Sequence, residues 1–253
     1  MITGTLKALL DRDSRGIRTT WLHSASPLSA EMIARLGWDC LVADMQHSMT
    51  GFSEMVHLLQ VTTNLGATVL VRPPALDVAL IGRLLDAGAS GIICPMVNTP
   101  AEAEALVSAC RYAPLGTRSI GPVRARLLFG DGYVGEANNG ILAIAMLETS
   151  IGLNNLDAIV RVPGLDGVFA GPSDLASSLG RPPRMDTDDP HVMDALNRIA
   201  SRATAANVAA GLACETAAYA KRMHDLGYRL FVTGSDLRMM TAASKQLLAD
   251  FDE

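Results

Sequence analysis

The feature that most limits the folds open to this chain is a rhythm. Short β-branched or apolar runs recur at 18–23, 40–45, 68–72, 91–97, 141–147, 167–170, 209–214 and 229–233, and helical stretches separate most of them. Ser29-Ala-Glu-Met-Ile-Ala-Arg-Leu-Gly37 is typical, with Ser29 placed to cap the helix and Gly37 to end it. Arg35-Leu-Gly37, Asp86-Ala-Gly88 and Asp225-Leu-Gly227 each precede the next strand, as a left-handed C-cap before a short return loop would. Eight strand-then-helix units predict a single α/β domain over 1–253, a closed (β/α)8 TIM barrel. The competing architecture, an open doubly wound sheet, usually carries a glycine-rich phosphate turn after its first strand, where this chain has Ser24-Ala-Ser-Pro-Leu28. One segment breaks the rhythm. Residues 112–140 follow the fourth strand, hold six glycines and read as a lid or an interface.

Composition narrows the functions. With 253 residues, 49% of them hydrophobic and 19% charged, the chain can build a real core. A net charge of -5 with no long basic run gives a phosphate backbone no continuous partner surface, so nucleic-acid binding is not expected. No run approaches the roughly 18 apolar residues of a membrane span. The N-terminal Met-Ile-Thr-Gly-Thr-Leu-Lys lacks the order of a secretory signal, and Cys40, Cys94, Cys110 and Cys214 form no CxxC pair, which together suggest a cytoplasmic protein with reduced thiols.

In a barrel of this type the chemistry sits where strands end and the following loops begin. Those ends carry Asp44-Met-Gln-His47, Arg72-Pro73-Pro74, Glu148-Thr149 and Gly171-Pro-Ser-Asp174. Glu148 and Asp174 are one repeat apart and would face the same space, an all-oxygen pair suited to a hard divalent cation; each could instead cap its own helix. Asp44 is close enough in sequence to fix the tautomer of His47 for proton transfer, and Arg72 offers a planar fork for a carboxylate or an enolate oxygen. Of the three lysines, Lys7, Lys221 and Lys245, none lies at a strand end where a Schiff base would form. A cation is then the remaining electron sink for a keto acid. Thr233-Gly-Ser-Asp236, after the eighth strand, admits a different reading as a phosphate cradle.

Taken together, the motifs resemble the metal-dependent class II pyruvate aldolases of the HpcH/HpaI type along nearly the whole chain. The resemblance is carried by Trp21 with Ser26-Pro27, Gly37-Trp38-Asp39, Asp44-Met-Gln-His47, Val71-Arg72-Pro73, Leu85-Asp-Ala-Gly-Ala89 and Pro95-Met96-Val97. It continues through Gly116-Thr-Arg-Ser-Ile-Gly121, Glu148-Thr149 and Gly167-Val-Phe-Ala-Gly-Pro-Ser-Asp-Leu175. It implies a lyase that reversibly cleaves a 4-hydroxy-2-oxo acid to pyruvate and an aldehyde through a pyruvate enolate. Glu148 and Asp174 would hold Mg²⁺, Mn²⁺ or Co²⁺, and Arg72 would contact pyruvate and its enolate. His47 would assist proton transfer, with Asp44 and Asp86 in support. Backbone amides of Ser173 and Asp174 would receive the pyruvate carboxylate, and Trp21 would line the substrate site. A homo-oligomer, usually a hexamer, with the last helix on a neighbouring subunit is also implied. A related lyase acting on a thioester or another 2-oxo acid, or a non-catalytic carboxylate-binding barrel, are the alternatives. Gln46, Ser48 and His23 depart from the common pattern; His23 is a candidate contact for the acceptor aldehyde.

Overall fold

The computed structural model describes Leu10 and residues 15–252, so Lys7 and the whole N-terminal stretch read above lie outside it. Eight strands close into one barrel in chain order: β1 (Ile17–Leu22), β2 (Cys40–Asp44), β3 (Val69–Arg72), β4 (Gly91–Cys94), β5 (Leu142–Leu147), β6 (Gly167–Ala170), β7 (Ala209–Cys214) and β8 (Leu230–Ser235). Every neighbouring pair is parallel, including β8 with β1, where the register shifts between Thr19 and Trp21. The expected (β/α)8 barrel is therefore the observed fold.

Period-two alternation sorts each strand into two cores. Leu41, Ala43, Val69 and Val71 pack outward against the helices. Ile17, Trp21, Cys40, Val42, Leu70, Ile144, Met146 and Phe169 fill the barrel interior. The glycines expected to end helices do so in left-handed backbone, with φ of 83° at Gly37, 105° at Gly88 and 106° at Gly227. Helix N-termini face the opposite end of the barrel, and several are capped by side chains there: Asp77, Thr99, Thr149, Asp189 and Thr216.

Four expectations need correction. The first helix runs Pro27–Ala34 and is capped by Ser26, whose hydroxyl accepts the Ser29 N–H; Pro27, pre-set for the first helical position, moves the start ahead of Ser29. The run read as strand to 97 ends at Cys94; Met96 adopts φ 55° and gives its amide to the Glu148 side chain in place of a ladder bond. The eighth strand reaches Ser235 rather than 233. The 112–140 segment forms helices Val123–Phe129 and Tyr133–Gly140 in the return from helix Pro100–Cys110 to β5. It is pinned to the N-terminal end of the barrel: Arg111 holds the Ile141 and Gly164 carbonyls and Asp166, and Arg124 reaches the Ala87 carbonyl. It does not form a lid over this chain's own C-terminal mouth.

The last helix, Asp236–Asp252, leaves the barrel wall. Met240, Leu247, Leu248 and Phe251 on it are exposed. Among the described residues no helix is long and apolar enough to cross a membrane.

Candidate active site

The inward parity of the strands continues past the apolar interior and delivers the polar groups. Val42 is followed two residues later by Asp44, Leu70 by Arg72, Met146 by Glu148, Phe169 by Gly171 and Trp21 by His23. The register places Asp44 directly beside Arg72 on paired β2 and β3. Arg72 Nε and Nη2 donate to the two Asp44 oxygens at 2.8 Å each, a bidentate pair with both residues buried. The guanidinium lies 4.1 Å over the Trp21 ring, which fixes its plane from the other side.

Asp44 is saturated. Its oxygens also accept the backbone N–H groups of Gln46 (3.0 Å) and His47 (3.2 Å). Burial by itself would raise this carboxyl, but the close approach of His23, the Arg72 hydrogen bonds and the Arg72 charge outweigh it and hold Asp44 below the usual carboxylate range. The expected Asp44–His47 ring contact is absent: Asp44 takes the His47 backbone, and the exposed His47 ring has no hydrogen-bond partner among the described residues. The imidazole that faces Asp44 is His23, with Nε2 3.3 Å from Oδ2 but off the line of a good hydrogen bond.

Glu148 is the opposite case. It is 3% exposed, and one oxygen, Oε1, accepts the Met96 N–H at 2.7 Å. Burial pushes its carboxyl up from an ordinary 4.5 to about 7, the Met96 amide opposing and the neighbouring Asp174 charge adding to the rise. Gly171 leaves this space open: a Cβ at that position would lie 2.8 Å from Glu148 Oε2 and would force that carboxylate to shift. Asp174 sits exposed in the first turn of the helix Pro172–Ser178, whose N-cap is Gly171, so Asp174 is not its own helix's cap. A buried carboxylate with one uncommitted oxygen, a second carboxylate beside it and no counter-cation of its own suits a divalent ion that completes its shell with water and substrate oxygens. No group of three or more His, Cys, Asp or Glu side chains with metal-site geometry occurs among the described residues, which leaves those open positions to non-protein ligands.

Trp21, His23, His47, Arg72, Met146 and Asp174 line a cavity of about 170 Å³, whose wall also includes Gly171, packed against Glu148. A second hollow, about 490 Å³, continues it outward between Ser173, Arg184 and Arg238. Neither Lys221 nor Lys245 lines the first cavity. Ser173 and Asp174 follow Pro172 in the first helical turn, where backbone N–H groups have no partner within the helix. Asp86 is not brought to this mouth. It ends the helix Val78–Asp86 at the far end of the barrel and pairs there with buried Arg118 at 2.6 Å. The phosphate-cradle reading of 233–236 fails on charge, because the Asp236 carboxylate occupies the place, accepting the backbone N–H groups of His23, Ser24 and Leu237. Sequence reasoning offered His23 only as an aldehyde contact, gave Gly171 no role, and missed Arg238. For His23 and Gly171 the available signal was parity with the apolar residue two positions earlier.

A family model described as HpcH/HpaI aldolase/citrate lyase matches residues 18–243. The chain belongs to the HpcH/HpaI family. It is 43% identical over 230 residues to a hydroxypyruvate/pyruvate aldolase of Rhizorhabdus wittichii, covering 91% of this chain and 92% of that protein. It is 36% identical over 234 residues to a 2-keto-3-deoxy-L-rhamnonate aldolase of Klebsiella pneumoniae, covering 91% and 87%. The crystal structure of an HpcH/HpaI aldolase/citrate lyase family protein from Burkholderia cenocepacia superposes with a TM-score of 0.92 at 29% identity, over 99% of this chain and 100% of that one.

Proposed function

We propose that this chain is a class II pyruvate aldolase, a lyase that reversibly cleaves a 4-hydroxy-2-oxo acid to pyruvate and an aldehyde. The observation that carries this is the Arg72 guanidinium, engaged edge-on by Asp44 and covered by Trp21, at a cavity that Asp174 lines and whose Gly171 packs against the Glu148 carboxylate. The names of its HpcH/HpaI relatives support the same chemistry. Glu148 and Asp174 would hold Mg²⁺, Mn²⁺ or Co²⁺, which when bound polarises the keto group of the substrate.

The protein's own groups do the rest. The first-turn amides of Ser173 and Asp174 receive the pyruvate carboxylate. Arg72 sets a fixed positive charge beside the keto oxygen, where negative charge collects as the C3–C4 bond breaks. Because Asp44 and Trp21 pre-orient it, no reorganisation is needed at that moment. Trp21 forms the wall under the three-carbon unit. An imidazole at the mouth, His47 or His23, takes the proton of the C4 hydroxyl and returns it in the reverse direction. Asp44 positions Arg72, and Asp86 acts at a distance by anchoring Arg118 and the return segment.

We assign the exposed last helix to a subunit interface of a homo-oligomer, a hexamer by the resemblance. An apolar groove of about 760 Å³ beside β8, lined by Leu36, Trp38, Ala220, Phe231 and Met239, supports this. Four buried, unpaired cysteines fit a cytoplasmic setting.

The test is coupled pyruvate detection on a panel of 4-hydroxy-2-oxo acids. Chelator treatment should abolish pyruvate release, with Mg²⁺, Mn²⁺ or Co²⁺ restoring it. Arg72→Ala should lose several orders of magnitude in both cleavage and exchange of the pyruvate methyl protons. Covalent trapping of pyruvate by borohydride, or full activity in Arg72→Ala, would overturn the assignment.

A further inference from the structure

Met96, at φ 55°, is a methionine in left-handed backbone, a conformation that strains any side chain with a Cβ. Its side chain is 48% exposed, so packing does not account for the conformation. The backbone of the turn does. The Met96 N–H donates to Glu148 Oε1 at 2.7 Å, and the next N–H, that of Val97, returns to the Met146 carbonyl on β5 at 3.1 Å.

Asn98 ties this turn to the residue that follows Glu148. Its Nδ2 donates to the Met96 carbonyl at 2.9 Å, and its Oδ1 accepts the Thr149 hydroxyl. Its own backbone is fixed as well: the N–H donates to Glu102 at 2.7 Å, and the carbonyl accepts from Asn155 Nδ2 at 2.8 Å. Every polar group of Asn98 is thus engaged, and one side chain spans from the Met96 peptide to Thr149. Glu148 Oε2 is left on the side of Gly171, a wall residue of the cavity whose missing Cβ keeps that space open.

We infer that Asn98 is a positioning residue that sets the ion selectivity of the metal site, by holding the Met96 amide on Glu148 Oε1 so that Glu148 offers a cation one oxygen. The inference rests on the reading of Glu148 and Asp174 as metal ligands above. A carboxylate free to rotate can chelate through both oxygens, which suits Ca²⁺ with its flexible shell of about six to eight ligands. One confined to a single oxygen leaves room for the waters and substrate oxygens that complete an octahedron around a smaller ion such as Mg²⁺ or Mn²⁺. Strain at Met96 favours release of the turn, so the hold depends on Asn98: its Nδ2 fixes the Met96 peptide, and its bond from Thr149 fixes that peptide relative to Glu148.

The test compares wild type, Asn98→Ala, Asn98→Asp and Glu148→Gln, all treated with chelator and free of substrate. Mn²⁺ affinity is read by electron paramagnetic resonance of the free ion, and Ca²⁺ affinity by calorimetry and by displacement of Mn²⁺. Asn98→Asp keeps the acceptor for the Thr149 hydroxyl and loses the donor to Met96, so it decides the matter if Asn98→Ala does not fold. The wild type should prefer Mn²⁺. In both Asn98 variants the ratio of Mn²⁺ to Ca²⁺ affinity should fall about tenfold, the size of effect expected from one hydrogen bond to a charged group. General loosening of the loop would weaken both ions together and leave the ratio alone. Equal losses for the two ions, or a ratio within about twofold of the wild type, would therefore overturn the inference and leave Asn98 as a support of the loop. So would a wild type that binds Ca²⁺ as tightly as Mn²⁺. A wild type that binds neither ion, or a Glu148→Gln variant that binds Mn²⁺ as tightly as the wild type, overturns the metal-site reading and this inference with it.

Discussion

Replacing Glu148 by Gln should stabilise the metal-free protein, and should do so only above acidic pH. Folding moves this carboxyl from an ordinary 4.5 to about 7, chiefly by burial. Below pH 4.5 the group is protonated in both states and contributes nothing to pH dependence. Between 4.5 and 7 the unfolded chain has lost the proton that the folded chain keeps, so stability falls as pH rises. Above 7 the full cost applies. At about 1.4 kcal/mol per pH unit the window amounts to about 3 kcal/mol, as the price of keeping an unpaired carboxylate at 3% exposure.

Gln keeps the shape and can still accept the Met96 N–H, but it cannot ionise. Chelator-treated wild type and Glu148→Gln should therefore melt at similar temperatures near pH 4.5. By pH 8 the variant should melt roughly 6–12 °C higher, at about 2–4 °C per kcal/mol for a chain of this size. Added divalent metal should close the gap from the wild-type side, because only the wild type gains binding energy from it. A melting difference that is the same at both pH values, or a metal-induced rise equal in the two proteins, would refute the assignment of Glu148 as a strained, cation-binding acid.

Two further outcomes follow from the same geometry. Asp44→Asn removes the partner that engages the Arg72 fork, so the Arg72 charge becomes available to Glu148; divalent-metal affinity by calorimetry should weaken by about tenfold, about 1.4 kcal/mol, and unchanged affinity would contradict it. Asp86→Asn leaves buried Arg118 without its carboxylate at the far end of the barrel; the expected cost is about 1–3 kcal/mol in denaturant unfolding, reduced from a fully buried pair because Asp86 is 31% exposed, with cleavage by the folded enzyme changed only a few-fold.

How far the sequence disclosed this depends on which physical rule was at work. The strands were legible because apolar runs of four to six residues bounded by Gly, Pro and polar turns have few other uses. The three glycines at 37, 88 and 227 were legible because only a left-handed residue ends a helix so close to the next strand. Asp44, Arg72 and Glu148 stood out as charged residues closing apolar runs. His23 obeys the same parity, two residues after the inward-facing Trp21. Asp86 and the 112–140 segment were harder, since chain order does not say which end of a barrel a residue occupies unless helix direction is followed. A residue just before a helix-ending glycine lies at the N-terminal end of the strands, and this places Asp86 away from the mouth. Ser26 against Ser29 turned on Pro27 alone. The left-handed Met96, which donates its amide to Glu148, had no sequence signature at all.

The mouth also explains why two buried carboxylates, each within the field of one arginine, end in opposite protonation regimes. A guanidinium carries one charge, and its planar fork can satisfy one carboxylate fully. Register decides which: Asp44 and Arg72 are directly paired on adjacent strands, so the fork closes on Asp44, which is driven below the usual range. Glu148 then feels Arg72 only as a weaker, more distant charge, and Asp174 adds repulsion. Ionised, Asp44, Glu148 and Asp174 carry three negative charges; Arg72 closes on Asp44, and Arg238, on the cavity wall, is matched by Glu215. The excess of two lies on the Glu148–Asp174 side, where a dication would cancel it. On this account Asp44 serves the reaction twice, by holding Arg72 where enolate charge develops and by denying that charge to the acid that must remain available to a metal.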